Sequence, residues 1–404
     1  MDATATYRPA DFAPPEALGS LERRSLLAGI FGLGIGSVGW LLDPAQFFQS
    51  YLIAYIFWVT ISLGCLGLAM LHHMSRGAWG IVIRRPLEAA AATIFPLMTV
   101  LFVPLLFGLH DLYEWTHEEV MQSSPALEWK LPYLNEPRFL TFTAVYFAAW
   151  GFLAWRLRSL SKRQDETEQG AFFRRLQGWS AVGFLALALT MTLASVDWLM
   201  SLDPHWFSSI FGLWFFTGSG LSGLAFITLV AGWLAKRAPM ARLFDRKHFH
   251  DYGKLLFAFV MLWAYLSFSQ LLLIWSGNLP EEIPFYLARL ETDWLLMSVF
   301  LLLGQFVVPF LILLSATIKQ RKRTLAKVAL WILAMRWVDY AWHVVPTLEF
   351  IHGEDGTLLP SLWIDLALMA GIGGVWLWYF FRSLDRRPLL PVNDPFLDEY
   401  FDHE

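Results

Sequence analysis

Four residues in the last third of the chain carry its densest chemistry: Arg336, Asp339, Tyr340 and His343. Their spacings of three and four place them on one face of a helix. A carboxylate, an imidazole and a phenol in one row can pass a proton by short hops, and histidine titrates near neutral pH. The surrounding segment, LWILAMRWVDYAWHVV, is otherwise apolar. An ionisable group at membrane depth is costly unless paired or wetted, so each one marks a candidate site. A second reading treats the row as a buried ion pair holding helices together, with Arg336 merely neutralising Asp339. Four polar groups exceed what one salt bridge needs, which favours proton carriage.

Asp197 and Asp365 fall at a similar depth in other apolar stretches, and Asp203 and His205 follow at the mouth of the same half. Asp43 and Asp203 each precede a proline, which suits a helix N-cap better than a proton carrier. Toward the opposite end, His72 and His73 close one stretch, Glu88 opens the next, and His248, His250 and Asp251 begin another. His72 and Glu88 stand as the mouth of a passage; the others, beside Arg84 and Arg85, read as interface residues. Thr60, Ser62, Thr93, Thr99, Ser267, Ser269, Gln270 and Gln305 lie between the two levels. They could thread water, although each taken singly reads better as helix–helix glue.

Metal, haem and nucleophile chemistry find little footing. Cys65 is the lone cysteine, so no disulfide, CxxC pair or iron–sulfur ligand set is expected. A bis-histidine haem needs imidazoles facing each other at one depth, and His110 with His343 is the one outer pair that fits. No phosphate loop, HExxH or nucleophile elbow occurs.

These residues need helices to hold them. Hydrophobic residues make up 56% of the 404 and charged residues 16%, well under the ~25% of a soluble globule. The expectation is an all-α integral membrane protein. Ten stretches reach the ~20 apolar residues that a bilayer core requires, near 25–42, 46–71, 87–110, 138–158, 175–199, 207–234, 252–275, 292–316, 325–346 and 361–382. All but four of the 30 Lys and Arg fall in alternate loops or tails, which sets those loops, the tail 1–24 and the tail 384–404 in the cytoplasm. The exceptions are Lys130, Arg138, Arg289 and Arg336. Basic residues placed as membrane anchors give no support to nucleic-acid binding. The amino-terminal segment lacks a short apolar run and cleavage site, so no removable signal peptide is expected. The opposite loops, such as DLYEWTHEEVMQSSPALEWKLPYLNEP, are acidic and Trp/Pro-rich, suited to a docked partner or to solvent alike.

Two segment pairs suggest an internal repeat. LLDPAQFFQSY opens the second stretch and SLDPHWFSSIF the sixth, sharing Asp43/Pro44/Phe47 with Asp203/Pro204/Phe207. SVDWLMSLDP in the fifth resembles WVDYAWHVVP in the ninth, matching Asp197 to Asp339. Order and direction agree with two parallel-repeat four-helix bundles, about 46–199 and 207–346, plus two peripheral helices, the first and the tenth, within a membrane domain of 25–383.

The strings FAFVMLWAYLSFSQLLLIWSGNLPEEIPFYLARL, VDWLMSLDPHWFSSIFGLWFF and YLIAYIFWVTISLGCLGLAMLHHMSRGAWG, followed by IRRPLEAAA, resemble one family. It is the second quinone-binding-type membrane subunit of alternative complex III, a bacterial quinol:cytochrome c oxidoreductase. The sister membrane subunit and the polysulfide-reductase membrane anchors look similar in architecture. The resemblance implies a bacterial inner-membrane subunit with no cofactor of its own. Haems c and iron–sulfur clusters would sit in partner subunits: a multihaem cytochrome and an iron–sulfur protein beside the sister ten-helix subunit. Lipids and a terminal oxidase are further implied partners. Quinol would be oxidised in the sister subunit, while this chain offers a proton passage. From the residues, that passage runs through Asp197, Arg336, Asp339, Tyr340, His343 and Asp365, with His72 and Glu88 inside and Asp203, His205 and Gln270 as weaker members. Alternatives are a quinone or menaquinone site framed by Trp198, Trp206 and Trp342, an independent secondary transporter, and a scaffold in which every buried charge is structural.

Overall fold

The computed structural model describes residues 8–166, 171–352, 362–395 and 397, and every regular element among them is helical. The long helices in chain order are α1 (Ala17–Leu42), α2 (Pro44–Ser75), α3 (Arg84–Phe107), α4 (Glu136–Glu166), α5 (Ala171–Trp198), α6 (Phe211–Leu234), α7 (Arg246–Gly277), α8 (Trp294–Leu314), α9 (Lys322–His352) and α10 (Leu362–Asp385). Nine of them, all but α9, are long and apolar enough to cross a membrane. α9 is as long as α4, at 31 residues, but Arg336, Asp339 and His343 interrupt its apolar run. The chain is a multi-pass membrane protein by this measure. Expectations for residues 1–7, 353–361 and 398–404, including parts of both tails, lie outside the described residues.

α2 and α6 form the centre. Their most apolar windows are 94% and 83% buried, against 22% for α1, α7 and α8. A helix apolar on all sides belongs in a core, and small residues let these two backbones touch. A Cβ on Gly64 would stand 1.9 Å from the Ser219 carbonyl oxygen of α6, so only glycine permits the crossing. α1 pairs with α10 in the same way: a Cβ on Gly32 would meet the Gly371 nitrogen at 2.5 Å. α10 reaches further inward than the peripheral place expected for it. Trp376 is fully buried, donates to Ser62 Oγ of α2 at 2.8 Å and meets Phe226 of α6 edge-on.

Two helices are irregular. In α3 the turn Ile94–Met98 opens into π geometry around a non-helical Phe95, where Pro96 lacks the N–H that a regular turn would need. Tyr55 of α2 donates to the Met98 carbonyl beside the break at 3.0 Å. In α8 a π turn spans Leu302–Val307.

The matched Asp-Pro segments differ in structure. Asp43 accepts from the Gln46 N–H at 3.1 Å and caps α2, with Pro44 in its first turn. Asp203 does not open α6, which starts only at Phe211. Its Oδ1 takes the N–H groups of His205 and Trp206, at 2.9 and 3.2 Å, in a tight turn that tucks Trp206 against Phe285. Beyond α10 the chain folds back under the bundle: Leu389, Leu390 and Leu397 are buried, and the Leu389 N–H donates to the Phe12 carbonyl at 2.9 Å.

Candidate functional site

α9 presents Arg336, Asp339, Tyr340 and His343 to α6 and α7, as their spacing requires. Arg336 and Asp339 are fully buried and ion-paired through Nη1 and Oδ2. The Arg336 guanidinium lies over the rings of Tyr340 (4.5 Å) and Trp214 (5.4 Å), and its Nε reaches Ser222 Oγ at 3.4 Å. Room for it comes from Gly218, where a Cβ would stand 2.3 Å from Nη2. Trp263 of α7 donates to Asp339 Oδ2 at 2.9 Å, so both donors share one oxygen. Oδ1 has no hydrogen-bond donor and faces His343 Nδ1 at 3.5 Å. That nitrogen is 2.8 Å from the Asp339 carbonyl, which can only accept. In the neutral ring the proton therefore sits on Nδ1, and Nε2 is the basic nitrogen.

His343 is the member of the row that meets the outside. Its side chain is 10% exposed, against 1% for Asp339 and none for Arg336. It packs on Trp214, ring centroids 3.9 Å apart, and lines a narrow cleft with Asp203, Trp206, Phe285 and Thr347. Above it, Pro346 cannot donate to the Trp342 carbonyl four residues back. Arg289 fills this gap, donating from Nε to Trp342 O at 3.1 Å and from Nη2 to His343 O (2.9 Å) and Thr347 Oγ1 (2.8 Å). A fully buried cation is thereby held by acceptors of the proline break.

On the side of the row away from His343, Trp331 donates to the Gly304 carbonyl at 2.7 Å, bringing the π turn of α8 against α9. The next residue, Gln305, is fully buried with neither amide atom partnered. Buried polar atoms without protein partners are the places where internal water binds. Leu63, Gly67, Phe216, Gly220 and Phe259 border an apolar cavity of about 40 Å³ between the α9 row and the basic end.

The other expected residues do not join this row. Asp197 is buried at the end of α5, with both oxygens occupied. Tyr133 and Arg138 donate to Oδ1, each at 3.0 Å, and Tyr146 to Oδ2 at 2.6 Å. Burial, and then the Asp197 charge, push the Tyr133 phenol up to about 12, so it remains a donor throughout the physiological range. Asp365 faces Ser50, which also receives a bond from Gln46 (2.9 Å). His205 is exposed, and Gln270 accepts from Ser208 Oγ. His72 is buried with Nδ1 unpartnered, packed against Trp79 and the bare Cα of Gly80.

Glu88 belongs to a knot of charge. Arg84 reaches Glu88 (3.1 Å), Asp394 (2.7 Å), Gln164 (2.8 Å) and Ser161 (3.1 Å), while Arg85 reaches Glu88 (2.8 Å) and Asp165. Arg84 and Arg85, expected at the interface, are instead buried, because three carboxylates from α3, α4 and the returning tail surround them. Of the partners that sequence reasoning missed, Arg138 and Arg289 carried a usable signal: both are basic residues on the side where such residues are scarce. Tyr133, Tyr146, Trp263 and Asp394 carried none. No family model and no curated protein matches the chain.

Proposed function

We propose that this chain is a membrane subunit of a bacterial quinol:cytochrome c-type oxidoreductase and carries part of a transmembrane proton path. In this reading α9 is a tenth crossing, both termini are cytoplasmic, and α2–α5 and α6–α9 are two related four-helix bundles. Quinol oxidation, haems c and iron–sulfur clusters belong to partner subunits. The strings quoted above support membership of such a complex. The single observation that carries the proton role is Asp339 Oδ1, a buried carboxylate oxygen with no hydrogen-bond donor, 3.5 Å from a histidine that lines an outward cleft.

His343 takes a proton from the cleft at Nε2 and passes the one on Nδ1 to Asp339 Oδ1. Arg336 keeps Asp339 ionised until the proton arrives. Gln305 and the water that its amide recruits continue inward, toward the apolar cavity that separates the two ends. A quinone head group is the weaker fit: the cleft holds about 10 Å³, room for a single water, against the ~300–1,000 Å³ typical of ligand pockets.

Purification through a tag on this chain tests membership: multihaem cytochrome and iron–sulfur subunits should accompany it, and a protein reproducibly alone would refute it. In the assembled complex, Asp339→Asn keeps the shape of the side chain and removes its charge. Arg336 then loses its counter-charge, so yield should fall as well, and proton translocation counted per assembled complex should fall at least tenfold. Unchanged proton yield in an assembled variant would end the proton reading and leave membership standing.

A further inference from the structure

At the end of the bundle that bears the arginine-rich loops, α3, α4, α10 and the chain after α10 border a second cleft, shallow and open to the surface. Arg85, Arg158, Arg387 and Ser383 line it, with Glu88 as its one carboxylate and Ala89 and Leu384 as its apolar wall. Glu88 is already engaged by Arg84, Arg85 and Ser161. Donors, by contrast, are left over. Arg85 Nε and Ser383 Oγ are buried and unpartnered. The closest acceptors of Arg387 are the Arg158 carbonyl and a Glu88 oxygen, each at 3.5 Å, the edge of hydrogen-bond range. The Arg158 guanidinium has no hydrogen bond or ion pair among the described residues. Burial pushes the Arg387 pKa down, Glu88 counters this, and the charges of Arg158 and Arg85 push it down further. Three guanidinium groups thus share two carboxylates, Glu88, which Arg84 also engages, and Asp165, which pairs with Arg85.

We infer that this cleft is an anion site for a phosphate group, filled by the head group of an anionic phospholipid. Phosphate oxygens only accept hydrogen bonds, which matches a site whose free groups can all donate. Guanidinium forks suit their geometry, two donors to two oxygens. The position favours a lipid over a free ion, because the site sits where α10 leaves its apolar span at Asp385 and keeps an apolar wall beside the cations. Arg387 belongs to the returning tail, so the bound head group would also fasten that tail to α3 and α4. This site requires a bilayer around the chain but not the proton path, and either can fail alone.

The test uses the purified protein with whatever subunits accompany it, after exchange into phosphatidylcholine with or without phosphatidylglycerol. Binding of phosphatidylglycerol is counted by native mass spectrometry and read as thermal stabilisation. Arg158→Gln and Arg387→Gln should each weaken it about tenfold, and Ser383→Ala about threefold, the loss of single hydrogen bonds to a charged group. Arg382→Gln, an exposed arginine of the same helix, should leave it unchanged. Equal binding by all variants, or none by the wild type, would overturn the site. Stabilisation by millimolar inorganic phosphate, with no response to phosphatidylglycerol, would overturn the lipid assignment. Should the arginine variants not fold, Ser383→Ala alone decides.

Discussion

Asp197 and Asp339 stand in similar short segments, Val196-Asp197-Trp198 and Val338-Asp339-Tyr340, and are almost equally buried, at 1% and 0% exposure, yet their surroundings differ. Asp197 is saturated: Tyr133, Arg138 and Tyr146 fill both oxygens and tie the end of α5 to the start of α4. Asp339 receives both of its donors on one oxygen and leaves the other facing a histidine. A carboxylate wrapped by three donors is a clamp, since protonating it would break bonds that nothing replaces. One with a bare oxygen beside an imidazole can change its protonation without dismantling its neighbourhood. Burial alone therefore does not distinguish a structural acid from a working one; the count of donors per oxygen does.

Substitutions should separate the two acids. The largest effect expected is from Arg336→Ala, which strands Asp339 in the core. Unpairing a buried charge costs about 3–5 kcal/mol, and the detergent-solubilised protein should lose most of its folded yield and melt early. An Arg336→Ala protein as stable as the wild type would mean that Asp339 is already neutral. Next comes Asp197→Asn, which weakens three bonds to a charged acceptor, at about 1.5–3 kcal/mol for each bond lost outright. Tm should fall clearly while proton transfer per assembled complex stays at the wild-type level, whereas Asp339→Asn lowers transfer in every complex that assembles. If both acids gave the same phenotype, the comparison would collapse. Tyr146→Phe removes one of the Asp197 donors and should cost about 1–2 kcal/mol by thermal denaturation, again with transfer unchanged. Smallest is Trp263→Phe, which frees part of Asp339 Oδ2. A stability loss of about 1 kcal/mol is expected, read as a small drop in Tm, with a loss of proton transfer well below that of Asp339→Asn.

Part of this arrangement is legible in the sequence. Apolar stretches longer than a bilayer is thick locate the helices, and i, i+3, i+4 spacing places Arg336, Asp339, Tyr340 and His343 together. The breaks in charge bias are a sharper signal than they first look. Lys130, Arg138, Arg289 and Arg336 are the four basic residues away from the basic side, and all four are engaged: with the Pro204 carbonyl (2.6 Å), Asp197, the Trp342 carbonyl freed by Pro346 and the His343 carbonyl beside it, and Asp339. A cation on the scarce side must be offset by a specific partner. Motif matching is weaker: Asp43 and Asp203 share a sequence signature, but one caps a helix and the other builds a turn.

What the sequence determined by itself is local in physics: hydropathy over some twenty residues fixes helices and membrane residence, and helical periodicity fixes which neighbours on one helix share a face. The tertiary structure decided what lies across helices. Tyr146 finds Asp197 from 51 residues away, Trp263 finds Asp339 from 76, and Asp394 finds Arg84 from 310. No local pattern encodes those meetings, because they depend on how close backbones can come, and in α2 and α6 that is set by the missing side chain at Gly64. Whether a buried carboxylate is a clamp or a carrier follows from these distant donors, and so it is decided only when the helices pack.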